Sequence, residues 1–140
     1  MPAYDTNSIF AKILRREIPC ITVFEDDDVL AFMDVMPQSN GHTLVVPKLP
    51  IRGLLDCPPP LLATLIQRTQ TIAQAVKTGM AADGLSIMQF NETAGGQTVF
   101  HLHFHVIPRW NDRPLRQHSG GMADRAVLEN YAALIRDALG

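Results

Sequence analysis

Residues 100–107 read FHLHFHVI, and within this stretch His101, His103 and His105 alternate with Leu102, Phe104 and Val106. On a β-strand successive side chains face opposite sides, so the three imidazoles share one face and the apolar residues take the other. The apolar side is thereby assigned to the core. Histidine supplies only 5 of the 140 residues and is a weak strand former. Three of them in consecutive outward positions are therefore better explained by chemistry than by an ordinary half-exposed strand.

The elements around this strand define an α+β domain. Immediately upstream, NETAGGQTV (91–99) is a glycine-containing loop and LSIMQF (85–90) a strand. Leu61 to Val76 has the breadth of an amphipathic helix, with Leu62, Leu65, Ile66 and Ile72 among its apolar positions; Pro58, Pro59 and Pro60 precede it and Gly79 ends it. HTLVVP (42–47) is a strand closed by Pro47, entered from the MPQSNG loop (36–41). ITVF (21–24) and VLAFM (29–33) flank Glu25, Asp26, Asp27 and Asp28, which read as the solvated turn of a hairpin. SIFAKILRRE (8–17) is a short first helix capped by Ser8 and stopped at Ile18-Pro19. Beyond Pro108, which is expected to end the histidine strand, a polar segment from Asn111 to Gly121 leads to a final helix, MADRAVLENYAALIRDAL (122–139). The expected architecture is a meander-rich antiparallel sheet of about five strands with helices packed on one face.

Composition narrows the function. With 46% apolar and 19% charged residues, 140 residues suit one domain with a real core. A net charge of -2 gives no diffuse hold on a nucleic-acid backbone, so no nucleic-acid partner is expected. No apolar run approaches the roughly 20 residues that span a bilayer and no leader pattern opens the chain, so neither membrane association nor export is expected, and the location is read as cytoplasmic. Cys20 and Cys57 stand alone without CxxC spacing, which argues against a disulfide framework.

Two chemistries compete for the histidines. Positions two apart on a strand lie about 6.6 Å apart, so the outer pair, about 13 Å apart at Cα, cannot comfortably meet one zinc ion with Zn–N bonds of about 2.0–2.1 Å. Two of them plus His42 could still do so, although no Asp, Glu or Cys accompanies the triad at an obvious ligand spacing. Phosphoryl transfer needs no point of convergence: a row of imidazoles can place a nucleophile at the centre and donors beside it. Gly95 and Gly96 add backbone N–H groups that can approach an anion, though a Gly-Gly pair by itself makes only a turn.

The chain resembles the histidine triad (HIT) family, in the branch of small nucleotide-binding hydrolases. The resemblance rests on His101, Leu102, His103, Phe104, His105, Val106 and Ile107 as the family signature, and on SIFAKILRREIP, VLAFMDVMPQSNGHTLVVPK and NETAGGQTVFHLHFH in order and spacing. It implies a single HIT-like domain with a core over about residues 8–110 and a C-terminal helical extension over about 122–139. It also implies cleavage at the α-phosphoryl of nucleoside phosphoramidates, adenylates or dinucleoside polyphosphates, in two steps through a nucleotidyl-histidine. His103 is then the nucleophile, His105 lies by the phosphate and leaving group, His101 supports the site and His42 orients the nucleophile. Asp34 would bind the ribose, Val35, Phe10 and Phe32 would border the base, and Asn91, Gly96, Gln97 and Thr98 would surround the phosphates. The implied partners are a purine nucleotide such as an AMP derivative and a second copy of the chain in a homodimer. Some members hold zinc through a CxxC in the first helix and a histidine after the PK dipeptide; Ser8, Ala11 and Pro50 stand there, so no metal and no other cofactor is expected. A non-catalytic nucleotide-binding regulatory module is the alternative, against which the intact triad speaks.

Overall fold

The computed structural model describes residues 3–117 and 121–140. Within them are five strands, β1 (Thr22–Glu25), β2 (Val29–Met33), β3 (Thr43–Pro47), β4 (Gly84–Met88) and β5 (Phe104–Arg109), and three α-helices, α1 (Ile9–Leu14), α2 (Pro59–Gly79) and α3 (Arg125–Leu139). The strands form one antiparallel sheet in the order β1-β2-β3-β5-β4. The α+β, five-stranded reading of the sequence holds. Residues 118–120 of the polar segment before α3 lie outside the described residues.

Local chemistry sets the boundaries. The Ser8 hydroxyl accepts the Ala11 N–H at 3.1 Å and caps α1. In the acidic tetrad, Asp26 accepts the N–H groups of Asp28 and Val29 at 2.9 and 2.8 Å, an Asx turn that closes the β1-β2 hairpin. Helix α2 starts at Pro59, where a missing N–H costs nothing, and buries Leu65, Thr69, Ile72 and Val76 along one stripe. Asp124 caps α3, whose Leu128, Ala132 and Ile135 face the same core. The two helices meet closely at Gly79, where a Cβ would lie 2.7 Å from the Leu134 carbonyl oxygen.

The helices do not share one face, which corrects the sequence expectation. Val29, Ala31, Met33, Val45, Leu102, Phe104 and Val106 pack with α2 and α3. Leu30, Phe32, Leu44 and Val46, pointing the other way, pack with Phe10 and Ile13 of α1. All five residues of β2 are buried because both sides of the sheet are covered.

The histidine strand differs in three respects from its reading. Regular pairing begins only at Phe104, so of the triad His105 alone lies within β5. The ladder with β3 stops because Pro47 has no N–H to offer and its carbonyl is taken by the His101 ring. Pro108 does not end the strand; it pairs with Leu85, and β5 continues to Arg109. The alternation survives, but the histidines, read as outward-facing, are buried, with Phe10 of α1 against His103 and Tyr4 of the N-terminal segment against His101.

Candidate active site

The imidazoles are held in a row by hydrogen bonds whose donors and acceptors can be assigned from their partners, since a carbonyl only accepts and a backbone N–H only donates. His101 donates Nε2–H to the Pro47 carbonyl at 2.8 Å, so in its neutral form Nδ1 carries the lone pair, and the Tyr4 hydroxyl lies 2.5 Å from it. Burial holds this imidazole well below its ordinary range, down to about 4. His103 donates Nδ1–H to the carbonyl of His101 at 2.7 Å, which leaves the lone pair of the neutral ring on Nε2.

His42 is fixed in the opposite sense. The Gln38 N–H donates to its Nδ1 at 3.1 Å, so the proton sits on Nε2 and is donated to Nδ1 of His105 at 2.9 Å. His105 in turn keeps its own proton on Nε2. The rings of His103 and His105 meet edge to face at 4.9 Å, and Phe10 closes on His103 at the same centroid distance. The site thus combines a lone pair at the centre of the row with an N–H beside it, in a setting from which much water is excluded.

Asp34 lies at the end of β2 beside these groups. Its Oδ1 accepts the Met36 N–H at 2.9 Å, and its Oδ2 is 3.5 Å from His42 Nε2. The carboxylate and imidazole atoms of Asp34, His42 and His105 lie within 4.8 Å of one another, close enough for one ion to bridge. The donor set opposes this: a metal on Nε2 of neutral His42 would move the ring proton to Nδ1, directly against the Gln38 N–H. The positions at which the resemblance puts the zinc ligands of some HIT proteins do not fit either. Ser8 is spent on the helix cap, Ala11 is buried in α1, and neither Ala11 nor Pro50 has a side-chain ligand atom.

Of the apolar candidates, Phe10 and Phe32 stack edge to face at 5.4 Å in the core below α1, while Val35 is exposed. The phosphate-loop candidates divide in the same way. Gln97 is buried, its carbonyl accepting the Glu92 N–H at 2.8 Å and its amide donating to the Arg52 and Val99 carbonyls at 2.8 and 3.0 Å. Asn91 accepts the Leu54 N–H at 2.9 Å and exchanges amide hydrogen bonds with Gln89. Both side chains therefore shape the loop, whereas Thr98 is exposed. Gly96 has φ +101°, and a Cβ there would press on the Phe90 ring at 3.3 Å, so a larger residue would be strained.

Sequence reasoning missed two contributors. Arg52 grips Glu92 through both forks at 2.8 Å and stacks over Phe100, bracing the loop from outside. Tyr4 reaches His101 from 97 residues away. Neither carries a local signal; only the fold brings the partners together.

Comparison with known proteins bears on the family of the chain. The family model described as HIT domain matches residues 15–112. A protein of Mycobacterium tuberculosis described as an uncharacterized HIT-like protein is 38% identical over 94% of this chain and 92% of its own. Adenylylsulfatase HINT3 of Arabidopsis thaliana is 37% identical over 79% of this chain, and the match spans 59% of that longer protein. Among solved structures, a HIT-like protein described as involved in cell-cycle regulation, from Bartonella henselae, superposes with a TM-score of 0.93 at 52% identity, covering 98% and 99% of the two chains. A zinc-bound histidine triad family protein from Mycobacterium smegmatis gives 0.84 at 36% identity, covering 96% and 94%. With the matched model spanning most of the chain and a relative similar along nearly its whole length, this protein belongs to the HIT family of histidine triad proteins.

Proposed function

We propose that the chain is a nucleotide hydrolase or transferase that cleaves at the α-phosphoryl of an adenylyl or related purine nucleotide compound through a covalent intermediate on His103. The observation that carries this reading is the 2.7 Å hydrogen bond from His103 Nδ1–H to the His101 carbonyl, which directs the lone pair to Nε2. In the first step Nε2 forms a bond to the α-phosphorus as the bond to the leaving group breaks, and the leaving group departs with the electron pair. Water then attacks the phosphorus, the P–N bond breaks back to Nε2, and the mononucleotide is released with one proton passed to solvent.

His105 Nε2–H is suited to a phosphoryl oxygen, on which negative charge grows in the transition state. Because His42 donates to Nδ1 of His105, the His105 N–H is directed from Nε2 towards the phosphoryl group. Leaving groups in keeping with this site are the amine of a phosphoramidate, the acyl group of an adenylate, sulfate or a second nucleotide. The name of the Arabidopsis relative, an adenylylsulfatase, is in keeping with such a substrate. Incubation of purified protein with adenosine 5′-phosphosulfate, adenosine phosphoramidate, an aminoacyl adenylate and a dinucleoside polyphosphate tests the reading; release of AMP from one or more is expected, and AMP binding without release from any would favour the regulatory module.

Asp34 supports ribose recognition by its place at the end of β2 beside His42 and His105, where its carboxylate can accept from hydroxyls. The parent is expected to favour ribo over 2′-deoxy substrate by about tenfold in kcat/KM, a margin of one hydrogen bond. Asp34→Ala should erase the difference, and equal efficiencies in the parent would remove Asp34 from the site.

A homodimer is also part of this reading. β4 ends the sheet, and its half-exposed Ile87 lies with Ile66 of α2 around an apolar hollow of about 410 Å³. An unpaired edge beside an apolar patch suits a symmetric second copy. Sedimentation should give a dimer at micromolar concentration and a monomer for Ile87→Lys; a parent that sediments as monomer contradicts it. Among the described residues no helix is long and apolar enough to cross a membrane.

A further inference from the structure

We infer that Tyr4 is a positioning residue for the triad, its hydroxyl locking His101 in the Nε2–H form and with it the carbonyl that holds the nucleophile. The inference rests on the assignment of His103 as nucleophile and adds a group outside the histidine signature.

The argument starts from proton counting. A neutral imidazole has one N–H, and on His101 the Pro47 carbonyl claims it at Nε2. Nδ1 must then accept. The His101 side chain is fully buried, so an unsatisfied Nδ1 would be a costly orphan. Tyr4 meets it with its hydroxyl at 2.5 Å, the two rings edge to face at 5.5 Å and 72°. The ring is thereby clamped at both nitrogens, one end to the N-terminal segment and the other to the end of β3. Clamping the ring fixes the backbone of residue 101, whose carbonyl receives His103 Nδ1–H.

The segment that carries Tyr4 is itself tied down. Arg52 Nη1 donates to the Ala3 carbonyl at 3.1 Å, Arg15 Nη1 donates to the Thr6 carbonyl at 2.7 Å, and the Ser8 N–H donates to the Asp5 carbonyl at 3.2 Å. Arg52 is the same residue that braces Glu92 of the phosphate loop, so strap and loop share one anchor. Burial pushes the Tyr4 hydroxyl up from its ordinary value, a smaller opposing effect coming from Ser8, which keeps it a donor at neutral pH.

Tyr4→Phe preserves the ring and removes only the hydroxyl, which makes it the test. Two measurements are needed on the full-length chain: steady-state kinetics with adenosine 5′-phosphosulfate, or whichever of the four compounds the parent hydrolyses, and 15N spectra of histidine-labelled protein without substrate. In the variant the His101 Nδ1 resonance is expected to move towards that of an unbonded lone pair while Nε2 keeps its proton. kcat should fall about tenfold, as for one lost hydrogen bond, with KM and AMP affinity unchanged. A purely space-filling Tyr4 would leave both the resonance and kcat unaltered, and that result overturns the inference. So does a fall in kcat with an unmoved His101 resonance, because the effect would then arise elsewhere. If the parent hydrolyses none of the compounds, the functional reading fails, and the resonance alone decides whether Tyr4 holds His101.

Discussion

His103→Ala is expected to lower turnover by about four to six orders of magnitude, the scale on which loss of a nucleophile removes covalent catalysis. The size follows from the absence of a substitute in the row. His101 has one nitrogen bound to the Pro47 carbonyl and the other to Tyr4, so neither can attack. His105 has its Nδ1 occupied by His42 and presents an N–H at Nε2. The fold should survive, because His103 sits against Phe10 and His105 on the covered side of the sheet and not among the residues packed beneath α2. AMP affinity should change little. Circular dichroism, a nucleotide titration and single-turnover kinetics on the variant check the three parts separately. Near-parental turnover would remove His103 from the chemistry.

Acidification is expected to weaken the fold through His101. Its pKa is depressed from an unfolded value near 6.5 to about 4 by burial, so the unfolded chain binds the proton more readily between those limits. The stability associated with the neutral ring is therefore complete above pH 6.5 and is lost as pH falls towards 4. From pH 7 to 5 the loss amounts to about 2 kcal/mol, a factor of about 30 in the unfolding equilibrium. The ion-paired carboxylates Glu25, Asp26 and Glu92, whose pKa values are lowered, act in the same direction but at lower pH. Urea unfolding at pH 7, 6 and 5 should show the midpoint falling at constant m-value, and the His101 resonances should remain those of a neutral ring at pH 5. A ring that titrates near 6.5 in the folded protein would contradict the burial argument.

Much of this was legible in the chain, for reasons that differ by residue. The alternation across 101–106 shows on its face because a strand has a period of two, and a strand keeps its alternation even where its ladder fails. The failure itself, at His101 and His103, depends on Pro47 standing opposite, and that register is a tertiary fact. VLAFM held a clue to two-sided coverage, since five successive apolar residues exceed what a half-buried strand needs. What it could not say is that the six-residue α1 supplies the second cover. Asn91 and Gln97 were legible as residues of the loop before the histidines, yet their amides turn inward, a choice made largely by Leu54 and Arg52 from a distant part of the chain. Tyr4 stands in a polar N-terminal segment with no periodicity, and its role exists only once His101 is beside it.

The covalent intermediate decides the matter most directly. The parent protein, mixed with an adenylyl-labelled substrate and quenched within the first turnover, should carry label in an acid-labile, base-stable P–N bond, and proteolysis in base should place it on a peptide at His103. Label at His101 or His105, or turnover with no labelled protein at any quench time, would contradict the assignment of His103 as the nucleophile.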